Sequence, residues 1–262
     1  MGEQVKHGNY HNYYRFRAED SRSNIVRQHL QTLWDGNKLH LKSENASLVH
    51  VADLGCNSGQ FTAKVCEILE QVSDGKRVRA VGVDIDQELC DRASAAFPDI
   101  EFISGNLLNI ASQESTSNDD PIERCMMRLG IEQFDVICCF SVLMYIHLNG
   151  GDEGLRRVLD YVCDKGKFLI LELQAWHKYR DQVRRLKRDA DQTYPLYKGL
   201  TWRGGSGVLE NHIKDYIRSK GFEMVSESSE KTRKNQHKIT PKIHSPKQIG
   251  SHQHVDLSEL PA

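Results

Sequence analysis

Neither sign of charge is in excess across these 262 residues, since 35 Lys and Arg face 36 Asp and Glu for a net charge of −1. A chain so balanced has no global field to attract a polyanion, so any nucleic-acid binding must rest on local patches. Paired cysteines are also missing. Of the seven present (Cys56, Cys66, Cys90, Cys125, Cys138, Cys139 and Cys163), none stands in a CxxC spacing, and several lie inside apolar runs. That excludes a disulfide framework and a zinc ribbon, gives no reason to expect a metal, and suits buried, reduced thiols in a cytosolic or nuclear protein. The opening MGEQVKHGNY lacks the apolar core of a signal peptide, and Lys6 stands where myristoylation needs Ser or Thr. No run approaches the roughly 20 apolar residues of a membrane span. The expectation is a soluble intracellular protein, in cytoplasm or nucleus, that does not engage a membrane.

What is present is ordinary for a globular chain, with 39% hydrophobic and 27% charged residues. The length fits one α/β domain, or one domain with a tail. From about Leu48 strands and helices alternate: LVHVADLG, then the helix FTAKVCEILEQV with Phe61, Val65, Ile68, Leu69 and Val72 on one face, then the strand VRAVGVDI. QELCDRASAAF is a short helix stopped by Pro98, and IEFISGN a third strand. NIASQESTSNDDPIER is a polar insertion expected to be a mobile surface loop. FDVICCFSVL, EGLRRVLDYVCDKG and KFLILELQ follow as strand, helix and strand, then VLENHIKDYIRSKGF as an amphipathic helix and FEMVSES as a sixth strand. Nearly continuous apolar strands are those of a parallel sheet covered on both faces, so the fold class is α/β, an open doubly wound sheet.

In such sheets a ligand sits beyond the carboxyl ends of the strands. That brings the turn Gly55–Gly59, Asp84, Asn106, the stretch after Phe140, and Gln174 around one crevice. The turn DLGCNSG lacks the middle glycine of GxGxxG, since Asn57 stands there, and the late glycine is absent too. It is therefore a poor cradle for a pyrophosphate. Asp84, ending the second strand, can accept from ribose hydroxyls, and Asp53 can hold the loop or reach a cationic group. A ribose with a cationic amino-acid end and no phosphate describes S-adenosylmethionine. Asn106 would face the adenine amine, with Leu107 and Phe140 as apolar cover.

From the turn onward the chain resembles the methylphosphate-capping RNA methyltransferases, the bicoid-interacting-protein-3 family. The resemblance rests on DLGCNSG, VDID, FSVLMYIHLNGGDEGL and LELQAWHKYR, with GNYHNYYRFR resembling the family's N-terminal arm, and it covers about residues 8–228. It implies a class I, Rossmann-like fold, S-adenosyl-L-methionine as cofactor, and an RNA 5′-phosphate as substrate. The compact size and YKGLTWRGG look more like the branch acting on 5′-monophosphates than the one acting on a γ-phosphate. Arg22, Asn57, Asp84, Asn106, Leu107 and Phe140 match cofactor-contact positions, joined by Asp53, Gly55 and Gly59 of the turn. Asn106 stands where an acidic residue is usual and Tyr145 where tryptophan is, which predicts weaker cofactor binding.

A phosphate monoester has a second pKa near 6, so its oxygen is already a nucleophile at neutral pH and the protein's task is positioning. Candidate groups holding the phosphate are His147, Asn149, Gln174, Tyr10, Tyr13 and Arg15, with Arg22 shared by both sites. Aromatics interleaved with Arg suggest a lid that stacks on a terminal base. Arg180, Arg184 and Lys187 share one helix face as a track for the RNA backbone.

The expected division is an arm and lid over 1–44, a methyltransferase domain over 45–230 and a disordered polar tail over 231–262. The class's last antiparallel strand is not visible after FEMVSES. HKITPKIH contains Pro241, which cannot donate to a ladder, so strand five is expected to be an exposed edge and stability to suffer. That absence, with Asn106, motivates an alternative, a catalytically inactive RNA-end-binding protein. A methyltransferase for a small molecule or protein is a third reading, which leaves the basic helix and aromatic arm without a purpose. A monomer is expected.

Overall fold

The computed structural model describes residues 6–7, 22–35, 48–112, 120–205, 207–227 and, for the backbone, 241–246. Seven strands form one sheet: β1 (Leu48–Leu54), β2 (Arg77–Asp84), β3 (Glu101–Ser104), β4 (Phe134–Phe140), β5 (Gly166–Glu172), β6 (Phe222–Glu227) and β7 (Pro241–Pro246). Their order is β3-β2-β1-β4-β5-β7-β6. β3, β2, β1, β4 and β5 are parallel, and β7 runs antiparallel to both β5 and β6.

The helices are α1 (Arg22–Asp35), α2 (Gln60–Val72), α3 (Gln87–Ala96), α4 (Leu107–Ile110), α5 (Pro121–Leu129), α6 (Leu143–Lys165), α7 (Trp176–Ala190) and α8 (Val208–Ser219). The pleat sorts the apolar strands to both sides of the sheet. Phe134, Ile137, Cys139, Leu169 and Leu171 enter a core with α5, α6, α7 and α8. Val136, Cys138, Phe140, Phe168 and Ile170 enter a second with α1 and α2. The fold class read from the apolar runs is the observed one.

Three readings need correction. The last antiparallel strand is present. Pro241 opposes Glu172 and Pro246 opposes Phe222, so both prolines lie at the strand's ends, and residues 242–245 keep their N–H groups for the two ladders. β7 comes from the stretch read as a polar tail, covers β5, and removes the ground for expecting an exposed edge and reduced stability. Second, the polar insertion contains the start of α5. Asp120 caps it, Oδ1 accepting from the amides of Ile122 (2.8 Å) and Glu123 (3.2 Å), with Pro121 in the first turn. That Asp-Pro-x-Glu signal was legible. Residues 113–119 of the insertion lie outside the described residues. Third, the helix after β4 begins at Leu143 rather than Glu153 and turns at Gly151, whose φ is 67°.

Candidate active site

A cavity of about 500 Å³ opens beyond the carboxyl ends of β1, β2, β4 and β5, bounded by α4, α6, α7 and the N-terminus of α1. Every strand end points its loop here because the parallel strands share one direction.

At the strand side stands the turn after β1. The amides of Gly55 and Cys56 both donate to the Val83 carbonyl, at 2.7 and 3.0 Å, tying the turn to β2. Gly55 has φ 85°, and a Cβ there would lie 2.7 Å from Val142 Cβ, so only glycine fits. Asn57 takes φ 54°, a conformation asparagine tolerates, and its Oδ1 accepts from the Ser58 amide at 2.8 Å. Asp84 braces the turn: Oδ2 accepts from the Asn57 amide at 2.8 Å and Oδ1 from the Asp86 amide at 3.1 Å. Burial raises its pKa, with those amides opposing. Gly55, Asn57, Asp84, Asn106, Leu107, Phe140, Asp53 and Arg22 all line the cavity. Gly59 does not. A Cβ on it would lie 2.5 Å from the Phe102 ring, so this glycine serves the packing of α2 against β3. Asn106 caps α4, its Oδ1 accepting from the Leu108 amide at 3.0 Å.

Asp53 is 3% exposed, and its Oδ2 accepts from Thr62 Oγ1 at 2.5 Å. Burial pushes its pKa up to about 6, against the Thr62 hydrogen bond and the Arg22 charge. Arg22 donates to Glu172 Oε2 at 3.1 Å, and its guanidinium lies 4.0 Å from the Phe61 ring centroid. Glu172, 1% exposed, also accepts from Ser141 Oγ at 2.7 Å. Neither Phe61 nor Glu172 was singled out in the sequence, since each reads as an ordinary member of its helix or strand.

The far wall is built by α6, α7 and residue 7. Asn149 and Gln174 line the cavity as expected, with Tyr145, Lys178, Asp181, Gln182, Arg185 and His7. Asn149 Nδ2 donates to the Tyr145 carbonyl at 2.8 Å. Gln182 Nε2 donates to Tyr194 Oη at 3.0 Å, and Tyr194 in turn donates to the Lys6 carbonyl, which brings His7 to the wall. The basic face expected to track RNA is not the one on the cavity. Arg184 and Lys187 are turned to solvent, pairing with the rim carboxylate Asp181 and with Asp191, whereas Lys178, Gln182 and Arg185, at the same i, i+4, i+7 spacing, face inward. Two stripes of one helix carry cations, and only the packing of Tyr179 and Leu186 decides which faces the cavity.

His147 is not on the wall. It is fully buried, with Nε2 2.7 Å from Asp152 Oδ1 and Nδ1 3.2 Å from Tyr179 Oη. Burial lowers its pKa despite Asp152, so the ring is neutral, Nε2–H donating to the carboxylate and Nδ1 accepting from the tyrosine. Asp152 also accepts from Thr201 N (2.8 Å), Thr201 Oγ1 (2.6 Å) and Trp202 N (3.3 Å). Burial opposes ionisation there, but hydrogen bonds from Thr201, then His147, hold the carboxyl at about 2. His147 is thus a brace linking α6 to α7, not a phosphate donor. Tyr10, Tyr13 and Arg15 lie outside the described residues.

Three residues of the wall, Asp53, Gln174 and Asn149, carry a buried side-chain oxygen (Oδ1, Oε1 and Oδ1) with no hydrogen-bond partner among the described residues. A buried acceptor left unpaired costs about 1–3 kcal/mol, so a ligand bearing donors is what such a wall fits. S-adenosylmethionine meets that demand at the strand side. An ammonium would suit Asp53, a carboxylate Arg22, a ribose Asp84, and an adenine the apolar surface of Leu107 and the exposed Ile85, whereas Phe140, 5.8 Å from the Arg22 guanidinium, stands at the methionine end rather than over the ring.

The Bicoid-interacting protein 3 (Bin3) family model matches residues 134–245, ending inside β7, and a methyltransferase-domain model matches residues 52–168. The chain is 30% identical over 201 residues to the pre-miRNA 5′-monophosphate methyltransferase of Xenopus laevis, covering 76% of this chain and 78% of that one. It is 29% identical over 231 residues to the U6 snRNA methylphosphate capping enzyme Amus of Drosophila melanogaster, covering 82% and 65%. An S-adenosylmethionine-dependent methyltransferase structure from Clostridium acetobutylicum superposes with a TM-score of 0.53 at 13% identity, over 91% of this chain and 97% of that one, which speaks to the fold alone. No helix among the described residues is long and apolar enough to cross a membrane. The sheet order, the crevice and a relative similar along most of both chains lead to one assignment: the chain belongs to the Bicoid-interacting protein 3 family and is an S-adenosylmethionine-dependent methyltransferase.

Proposed function

We propose that this chain methylates a 5′-terminal phosphate of RNA, a 5′-monophosphate in preference to a γ-phosphate, as the name of the Xenopus laevis relative describes for that protein. The observation that carries this reading is the division of one cavity into two chemistries. The strand side presents Asp53 and Asp84 to a cationic nucleoside, and the far wall presents Lys178, Arg185 and Gln174 to an anion.

When bound, S-adenosylmethionine supplies a methyl group on a positively charged sulfur. The chain's own residues have a modest chemical task, because a phosphate monoester near neutral pH needs no strong base. Lys178 and Arg185 hold the anion by charge. Gln174 orients it through its amide N–H groups without drawing off the nucleophilic electron pair, and Asn149, whose Nδ2 donates to the Tyr145 carbonyl, lines the wall beside it. The His147–Asp152 brace keeps α6 and α7, which carry those groups, in register. Tyr10, Tyr13 and Arg15, outside the described residues, are assigned in this reading to an arm over the terminal nucleotide. The methyltransferase domain includes β7 and also α1, whose Val26, Leu30, Leu33 and Trp34 enter the core, so its boundary lies before residue 22 rather than at 45, and the working form is an intracellular monomer.

The inactive end-binding alternative rested on a missing strand and on Asn106; the strand is present, Asn106 lines the cavity, and the relatives are named methyltransferases, so it is not retained. Labelled cofactor incubated with 5′-monophosphorylated and dephosphorylated versions of one RNA tests the proposal. Label is expected in the phosphorylated RNA alone, and equal labelling of both would end it.

A further inference from the structure

The α7 wall does more than attract phosphate. Lys178, Asp181, Gln182 and Arg185 line the cavity along one stripe of the helix, so a carboxylate stands between two cations. Depth separates them. Gln174 and Gln182 are 6% and 5% exposed, whereas the Asp181 side chain is 59% exposed, which puts Asp181 at the rim. Its ion partner is Arg184, 3.9 Å away on a side chain 76% exposed, a contact too solvated to neutralise it. The other cavity carboxylates, Asp53 and Asp84, belong to the strand side.

We propose that Asp181 limits the length of the phosphate chain this site accepts, an inference that rests on the phosphate-methylating function above. A terminal phosphate held deep in the cavity is followed outward by whatever links it to the first ribose. In a monophosphate end that is the uncharged sugar. In a triphosphate end two further phosphoryl groups, each negatively charged, pass the rim beside Asp181. Like charges within a Debye length at a half-exposed site repel, which disfavours the longer chain about 3- to 10-fold.

Asp181→Asn removes the charge and keeps the shape, at a position exposed enough to leave folding alone. The measurement is kcat/KM on one RNA carrying a 5′-monophosphate or a 5′-triphosphate. Asp181→Asn is expected to raise the triphosphate value about 3- to 10-fold and the monophosphate value less than about 2-fold, with the gain shrinking at high salt, while Asp181→Glu keeps the wild-type ratio. An unchanged ratio in Asp181→Asn, or the same loss of discrimination in Asp181→Glu, would overturn the proposal. Wild-type protein that labels phosphorylated and dephosphorylated RNA equally would bring down the phosphate reading itself, a result separable from either.

Discussion

The two ends of the cavity are held by different means. At the strand side Asp53, Asp84 and Asn106 sit within two residues of a strand terminus, and backbone hydrogen bonds fix the turn, as when Asp84 accepts from the amides of Asn57 and Asp86. At the far wall most sit on the faces of α6 and α7, and the helices are tied by a hydrogen-bond relay from exposed Thr201 and the Trp202 amide through Asp152 to buried His147 and Tyr179. The first end is specified locally except for Arg22, which Glu172 holds from 150 residues away, and the second exists only when distant segments meet. The cofactor end should therefore tolerate damage behind the far wall, and the far wall should tolerate loss of charge at the cofactor end.

The largest effect is expected from Asp152→Ala, which removes one carboxylate serving four donor groups and leaves the buried His147 Nε2–H without an acceptor. Urea unfolding should show a loss of about 3 kcal/mol. In the protein that remains folded, KM for RNA should rise while the cofactor Kd stays within about 2-fold. A parallel loss of cofactor affinity would mean that the two ends are not independent.

Asp53→Asn should act on the other end. It is expected to weaken cofactor binding about 30-fold in calorimetry, the scale of removing one partner of a buried charge pair. The variant should also be more stable than the parent without cofactor. Because the folded pKa of Asp53, about 6, lies above its ordinary 3.8, its contribution to stability is full below pH 4 and is lost as pH rises through 6. At neutral pH that loss is on the order of 3 kcal/mol, and neutral Asn avoids part of it. In the parent, cofactor affinity should fall as pH drops below 6, where Asp53 is protonated before it can meet an ammonium. A flat affinity from pH 5 to 8 would remove Asp53 from that role.

The smallest effect is expected from Gln174→Leu. The side chain is buried with an unpaired Oε1, so an apolar replacement of similar size should leave the melting temperature within a few degrees. Single-turnover methyl transfer should slow about 10-fold with unchanged cofactor affinity. An unchanged rate would place the phosphate elsewhere on the wall.

Much of this was legible residue by residue where one strand end carried the signal. The apolar runs of β1, β4 and β5 announced a covered parallel sheet, and DLGCNSG with Asp84 announced a turn unsuited to pyrophosphate. Gly59 misled because a glycine in that turn reads the same whether it faces a ligand or the Phe102 ring. His147 misled because a histidine in a loop-like motif gives no sign that both its nitrogens are engaged from within. Lys178 and Arg185 were missed because α7 has two cationic stripes, and sequence cannot say which one is turned inward. β7 was missed because Pro241 was weighed as an interior strand residue when it is the first.

By itself the sequence determined the sheet, the direction in which its strand ends point and the chemistry of the turn after β1, because these follow from local periodicity and backbone conformation. The tertiary structure alone decided that Glu172 meets Arg22 across 150 residues, that β7 fills the gap between β5 and β6, and that Asp181 stands at the rim beside Lys178 and Arg185. Those contacts join segments far apart in the chain, and packing on both faces of the sheet, not any local preference, brings them together.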